Sequence, residues 1–335
     1  MNKDFYDIYG FKFSVAGPAQ ISFQKEFRYF STKEIPDGDL NLIIKPSNRQ
    51  DLSTIVLRGT NIGIQLPFSP KEKELLYYFK APHEQILSYT ESLMTWEDKT
   101  FLHAGVVSKN GKAYIFTGKA DVGKTSSVLA LLEQGYDYLA DDWCVIGNNI
   151  VYPFPKTVHL FCYNLSNSTL LKRFPVLFLI KSKFLCFAMS ITRKISPHRY
   201  FSMLLDKIEP RFDLPITKIF PGSKIGNPCT IKKVFYIERR KVNKVKFSKI
   251  QPDNLARRMS YWNFYEKTSS LFREYSCYVQ KSGIYNRKID ERLNRDYKIL
   301  KKIFSNSIIY GITLPDDLKI NNKNVEDIFR IDSEN

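Results

Sequence analysis

Apolar and polar positions alternate from Gly10 to Val15, apolar residues cluster at Leu40–Ile44, and two further apolar runs lie at Thr54–Leu57 and Ile62–Leu66. Arg58-Gly59-Thr60-Asn61 separates that last pair as a hairpin turn would. Short strands are therefore predicted over the first 68 residues. Ser69-Pro70-Lys71-Glu72 then reads as a helix start, with Ser as cap and Pro in the first turn. The helical pattern runs to about Trp96, with a break at Pro82. Residues 1–98 are expected to form a β-rich N-terminal subdomain with helices.

Phe101–Val107 and Ala113–Thr117 are predicted as buried strands around a turn at Lys109-Asn110-Gly111. Val128, Leu129, Leu131 and Leu132 share a helical face after Lys124, and Gly135 ends that helix. Tyr138–Ile146 reads as one further strand region, and Ile231–Ile237 as another. From Pro252 onward the pattern predicts helices at Asn254–Tyr265, Leu271–Lys281 and Asp290–Phe304, with a last strand at Ser307–Thr313. The expected division is an α/β core over 99–250 and a helical C-terminal region over 251–335.

Between the predicted strand ending at Thr117 and the helix from Lys124 stands Gly-Lys-Ala-Asp-Val-Gly-Lys-Thr, residues 118–125. It matches the phosphate-binding pattern G-x-x-x-x-G-K-[ST] at every fixed position, in the strand–loop–helix setting that pattern requires. Gly118 and Gly123 let the backbone curl so that N–H groups point inward, and the helix N-terminus adds its partial positive charge. Gly118, Lys119, Ala120, Asp121, Val122, Gly123, Lys124, Thr125 and Ser126 are therefore the expected ATP-binding residues. Lys124 would meet the outer phosphates and Thr125 would offer a hydroxyl to Mg²⁺.

Asp141-Asp142 is the second chemical element. Successive strand residues face opposite sides, so both carboxylates serve one site only if the strand ends there and the chain turns. One would then join Thr125 in orienting the metal, and the other would take the proton of an acceptor hydroxyl. Thr125, Asp141 and Asp142 are the expected metal residues, and which aspartate is the base stays open. His103, in an apolar string one strand earlier, alone reads as a satisfied core histidine.

Charge adds an asymmetry. The net charge of +17 comes from the later part of the chain, because residues 1–98 carry 11 basic and 13 acidic side chains. The stretch 165–212 holds nine basic and two acidic residues, and within it the apolar run Phe174–Met189 is interrupted by Lys181 and Lys183. That pattern excludes a spanning helix and predicts an amphipathic helical insertion, a lid or a docking surface for an acidic acceptor or anionic lipid. Five scattered cysteines without a C-x-x-C pair fit buried reduced thiols, and four scattered histidines argue against a zinc site. A cytoplasmic protein, peripheral to a membrane if the insertion docks there, is expected. No nucleic-acid motif is present, and no N-K-x-D string marks a GTPase.

Together, Leu102-His103-Ala104, Gly111-Lys112-Ala113, the loop 118–125, Gly135-Tyr136 and Ala140-Asp141-Asp142 resemble the core of the HPr kinase/phosphorylase superfamily, whose fold is related to phosphoenolpyruvate carboxykinase. Pro153-Phe154-Pro155-Lys156 and Val234–Arg239 extend the resemblance more weakly. It implies ATP- and Mg²⁺-dependent phosphorylation of a hydroxyl on a protein, peptide or small molecule. It places Asp141 and Asp142 at the reacting centre, makes Lys124 catalytic and raises His103 to an active-site neighbour. Ser126 stands where bifunctional members have Glu, and no phosphorolysis segment is recognisable downstream, so the kinase direction is what the resemblance carries over. Arg211, Arg239 and Arg240 are weaker candidates for further phosphate contacts. The rival readings are a nucleotide-binding scaffold without transfer, and a basic membrane-surface or nucleic-acid protein.

Overall fold

A computed structural model describes residues 3–17, 19–46, 53–57, 82–160, 184, 212–282 and 290–331. The turn and strand expected at 58–66, the helix start at Ser69, Arg211 and the basic insertion (save Phe184 and Phe212) lie outside the described residues.

The N-terminal part is a five-stranded sheet in the order β3-β1-β2-β4-β5. Its strands are β1 (Lys3–Ile8), β2 (Phe11–Ala16), β3 (Ser31–Thr32), β4 (Leu42–Pro46) and β5 (Ser53–Leu57). β1 and β2 form a hairpin whose turn needs positive φ at Tyr9 and Gly10. The helix α1 (Gln20–Glu26) was not visible in the apolar spacing; its Phe23 and the following Phe27 pack against Tyr6 and Phe13. The helix α2 spans Pro82–Leu93 with the proline in its first turn; the residues on the other side of the expected break lie outside the described residues.

The central sheet has eight strands: β6 (Lys99–Lys109), β7 (Lys112–Gly118), β8 (Asp137–Ala140), β9 (Trp143–Gly147), β10 (Ile150–Tyr152), β13 (Cys229–Arg240), β14 (Lys246–Lys249) and β15 (Ile308–Pro315). Its order is β10-β9-β6-β7-β13-β15-β14, with β8 beside β6. β7, β13 and β15 are mutually parallel, and the other pairings are antiparallel. A separate ribbon pairs β11 (Thr157–Leu160) with β12 (Phe212–Pro215). The arrangement is mixed α/β.

Both faces of the sheet are covered, which is why its middle strands are continuously apolar. Along β13, Val234 and Tyr236 join one apolar cluster while Phe235 and Ile237 join the other. The first face receives α5 (Pro252–Asn263) and α7 (Arg292–Ser305) through Leu255, Met259, Leu300 and Phe304. The second receives α3 (Lys124–Leu132), α4 (Ile216–Ile219) and α8 (Val325–Phe329) through Val128, Leu131, Ile219 and Phe329. A π-helical turn, Phe264–Thr268, links α5 to α6 (Ser269–Ser282).

The small sheet and the central sheet share one apolar cluster that runs through Trp96, Phe101 and Phe154. The Trp96 indole N–H donates to the Ile8 carbonyl at 3.1 Å, and the Tyr9 hydroxyl donates to the Pro153 carbonyl. Among the described residues no helix is long and apolar enough to cross a membrane.

Candidate active site

The glycine loop follows β7 at the parallel centre of the sheet, and α3 leaves from it. Gly118 has φ +148°, and a Cβ there would lie 2.4 Å from the Ile237 carbonyl oxygen. Gly123 caps α3 in the left-handed region at φ +111°. These two glycines are required by the path of the backbone. Lys119, Ala120 and Asp121 form the exposed crest, while Val122 turns into the core. The Lys124 ammonium curls back over the loop and donates to the carbonyls of Lys119 at 2.6 Å and Gly118 at 3.3 Å. Burial lowers its pKa, against the opposing pull of Asp142, Asp141, Glu266 and Asp121. Ser126 sits half-buried in the first turn of α3.

The strand expected over Tyr138–Ile146 is broken at the paired aspartates. β8 and β9 both run antiparallel to β6, pairing with its second and first halves, and Asp141-Asp142 interrupt the pairing opposite Gly105 and Ala104. Asp142 takes φ +70°, and its carbonyl accepts the Ala104 N–H at 3.1 Å. The left-handed angle of Asp142 takes its side chain out of the alternation of a regular strand. Asp141 is buried, and Thr125 Oγ1 stands 3.0 Å from each of its carboxylate oxygens. Asp142 points to the other side, with its side chain 42% exposed and Oδ1 3.2 Å from His103 Nε2. Gly105, opposite the paired aspartates, lets α3 come close, because a Cβ there would meet Val128 Cγ2 at 2.6 Å.

His103 is buried and its ring stacks on Trp143, its β9 partner, at 5.1 Å. Three residues that the sequence pattern did not single out complete its surroundings. Asn263 accepts the His103 backbone N–H at 3.1 Å and donates to the Phe101 carbonyl at 2.8 Å. Trp262 Nε1 lies 2.9 Å from His103 Nδ1, and Glu266 Oε2 lies 3.0 Å from the same nitrogen. Burial raises the Glu266 pKa, with Asp142 and Asp121 adding to the rise and His103 and Lys124 opposing it. The only hint in the sequence is the aromatic run Tyr261-Trp262-Asn263-Phe264-Tyr265 before a single Glu, and such a run reads first as helix packing.

Arg239 does not face the phosphate side. Its guanidinium donates to four carbonyls, those of Val122 at 3.2 Å, Pro315 at 2.9 Å, Asp316 at 3.0 Å and Leu318 at 2.9 Å. It braces the loop from behind, where the sequence offered a surface charge or, more weakly, a phosphate contact. Arg240 is exposed and paired with Glu238 at 2.8 Å.

Behind the Trp143 ring lies a buried ion network. Lys267 Nζ sits 4.1 Å from the Trp143 ring centre and 4.2 Å from that of Phe101, and 3.1 Å from Glu91. Lys156, from the Pro-Phe-Pro-Lys string, pairs with Glu91 at 2.5 Å. The two lysines shift oppositely. Burial, with Lys156 nearby, takes Lys267 down to about 8, whereas the pull of Glu91 and Glu26 on Lys156 outweighs its burial and raises it.

Among the described residues no three His, Cys, Asp or Glu side chains converge to hold a metal unaided. That fits a Mg²⁺ site of the P-loop kind, in which one or two protein oxygens are joined by phosphate oxygens and water. The Thr125–Asp141 pair supplies oxygens of that kind beside the Lys124 ammonium.

No protein-family model matches the chain, and no curated protein matches it. Among solved structures, the Hpr(Ser) kinase/phosphatase from Coxiella burnetii is similar at 13% identity and a TM-score of 0.23, over 45% of this chain and 78% of that one. A similarity of this size leaves the functional reading to the residues.

Proposed function

We propose that this chain is a P-loop phosphotransferase that moves the γ-phosphoryl group of ATP to a hydroxyl. The observation that carries the reading is the division of labour between the paired aspartates: Asp141 meets Thr125 on the loop side, and Asp142 meets His103 on the open side. In the proposed reaction, the loop N–H groups and Lys124 hold the phosphates and offset the charge that develops on them. Mg²⁺ held through Thr125 and Asp141 supplies charge neutralisation of the phosphate oxygens when bound. The half-exposed Asp142 carboxylate accepts the hydroxyl proton as the acceptor oxygen bonds to phosphorus and the bond to the ADP oxygen breaks. The Leu102-His103-Ala104, loop and Ala140-Asp141-Asp142 motifs support the finer reading, an HPr kinase-like enzyme. A cytoplasmic location and contact of 165–212 with the acceptor or a membrane surface belong to the same proposal.

The test is phosphorus NMR of Mg·ATP with the purified protein and a panel of serine peptides and small polyols. A new phosphomonoester signal, lost in Lys124→Ala and Asp142→Asn, supports the reading. Tight ATP binding with no transfer across the panel, and no ATP consumption, would favour a nucleotide-binding scaffold.

A further inference from the structure

We propose that Glu266 and Trp262 are positioning residues: together they fix the ring of His103 and, through it, the carboxylate of Asp142 on the acceptor side. The role assigned to Asp142 rests on the phosphotransferase reading; the clamp itself rests on geometry alone.

An imidazole has two nitrogens, and here both are engaged. Nε2 faces Asp142 at 3.2 Å; Nδ1 faces Trp262 Nε1 at 2.9 Å and Glu266 Oε2 at 3.0 Å. The indole N–H only donates, and a carboxylate only accepts. If Nδ1 is bare it accepts from Trp262, and the ring proton sits on Nε2. If Nδ1 carries a proton it donates to Glu266, and a bare Nε2 would then set its lone pair against the Asp142 carboxylate. That second ring keeps a proton on Nε2 as well. A bare Nδ1 is satisfied by the Trp262 N–H and a protonated Nδ1 by the Glu266 carboxylate, and in both arrangements Nε2–H donates to Asp142. The ring has little freedom to leave this plane, since Trp143 stacks on its face and Asn263 and Thr117 hold its backbone N–H and carbonyl.

The element that delivers the clamp is unusual. Trp262 lies in the last turn of α5, and the π-helical turn Phe264–Thr268 follows that helix. Such turns are rare and concentrate at functional sites. This one sends Glu266 to His103 while the next residue, Lys267, goes to the buried Glu91 behind Trp143. The anchoring of Lys267 therefore sets where Glu266 stands. The Lys267 carbonyl also accepts the Ser92 hydroxyl of α2, which fixes the turn from the other side.

Glu266→Ala, Glu266→Gln and Trp262→Phe, made in the full chain and assayed with Mg·ATP, test the claim. In Glu266→Ala the turnover number should fall about tenfold or more, as loss of a partner that orients a histidine does, with the KM for ATP within about twofold of wild type. Glu266→Gln should recover most of the loss, because its amide can donate to or accept from Nδ1. A readout independent of turnover comes from ¹⁵N-labelled tryptophan. The chain has three indoles, and the signal that disappears in Trp262→Phe identifies Trp262. That signal should shift in Glu266→Ala and in His103→Gln. Unchanged turnover in Glu266→Ala, a rise in KM alone, or an unmoved Trp262 signal overturns the proposal. A wild-type protein that binds Mg·ATP without turning it over defeats the phosphotransferase reading instead, and the indole signal then decides the clamp by itself.

Discussion

Thr125 Oγ1 lies 3.0 Å from both carboxylate oxygens of Asp141, while the adjacent Asp142 turns away to His103. Two neighbouring aspartates therefore reach opposite sides of one site. The cause is local: Asp142 adopts φ +70° between β8 and β9, and this breaks the alternation a continuous strand would impose.

The two aspartates should consequently fail in different ways. Asp141→Asn should raise the Mg²⁺ concentration needed for half-maximal rate and weaken metal-dependent ATP binding. Asp142→Asn should keep ATP affinity and lose roughly 100-fold or more in turnover, the size of a general-base contribution. Magnesium titrations of rate and of nucleotide affinity separate the two. Identical behaviour of both variants would remove the division of labour.

The sequence displayed the loop because phosphate loops leave a local mark. Gly118 and Gly123 are glycine for reasons of backbone angle, and their spacing is preserved whatever surrounds them. The strands at Phe101–Val107 and Ala113–Thr117 were legible for a similar reason, since a strand buried on both faces reads as an unbroken apolar run. What stayed hidden depends on distance along the chain. Glu266 meets His103 across more than 150 residues, and nothing in its neighbours announces that contact. Arg239 was hidden for the same reason: it reads first as a surface charge or, more weakly, a phosphate contact, yet its partners are carbonyls of the loop, of the end of β15 and of the segment after it. The break between β8 and β9 was hidden because Asp142 is not a glycine, and its left-handed angle is imposed by pairing with β6.

Arg239 should behave as a brace. Arg239→Ala leaves four carbonyls without their donor and should cost about 1–3 kcal/mol in chemical denaturation. ATP affinity should fall with it, because Val122 loses its support from behind. Arg239→Lys should restore little, since an ammonium does not reproduce the planar fork of donors. A variant with weakened ATP binding and full stability would instead favour a direct phosphate contact.

Gly118→Ala should be the most damaging small change in the loop. The new Cβ would stand 2.4 Å from the Ile237 carbonyl, a backbone atom of β13 that has no rotamer to escape into. At Gly123 the first obstacle is the end of the Ile320 side chain at 2.7 Å, which is able to move, although φ +111° still strains alanine. A loss of about 1–3 kcal/mol is expected at Gly118, measured by urea or thermal unfolding, with a smaller loss at Gly123. The reverse order would mean that the loop path is set elsewhere.

Lys267 gives the chain a stability that depends on alkaline pH. Burial against Phe101 and Trp143 lowers its pKa from the ordinary 10.5 to about 8. Below about 8 both the folded and unfolded chains hold this proton, and the cost of burying the charge is present in full. Between about 8 and 10.5 the unfolded chain binds more protons than the folded one, so the unfolding free energy rises with pH. The change amounts to on the order of 3 kcal/mol across the interval. Lys267→Met removes the titrating group while keeping a long apolar stem beside the two rings. The stability of wild type relative to this variant should therefore climb from about pH 8 to pH 10.5, read from denaturation midpoints at a series of pH values. A flat difference would mean that Lys267 keeps its proton throughout, held by Glu91 against its burial. A difference that falls with pH would mean that the pair with Glu91 outweighs burial altogether, and would place Lys267 with Lys156 among the lysines whose pKa is raised.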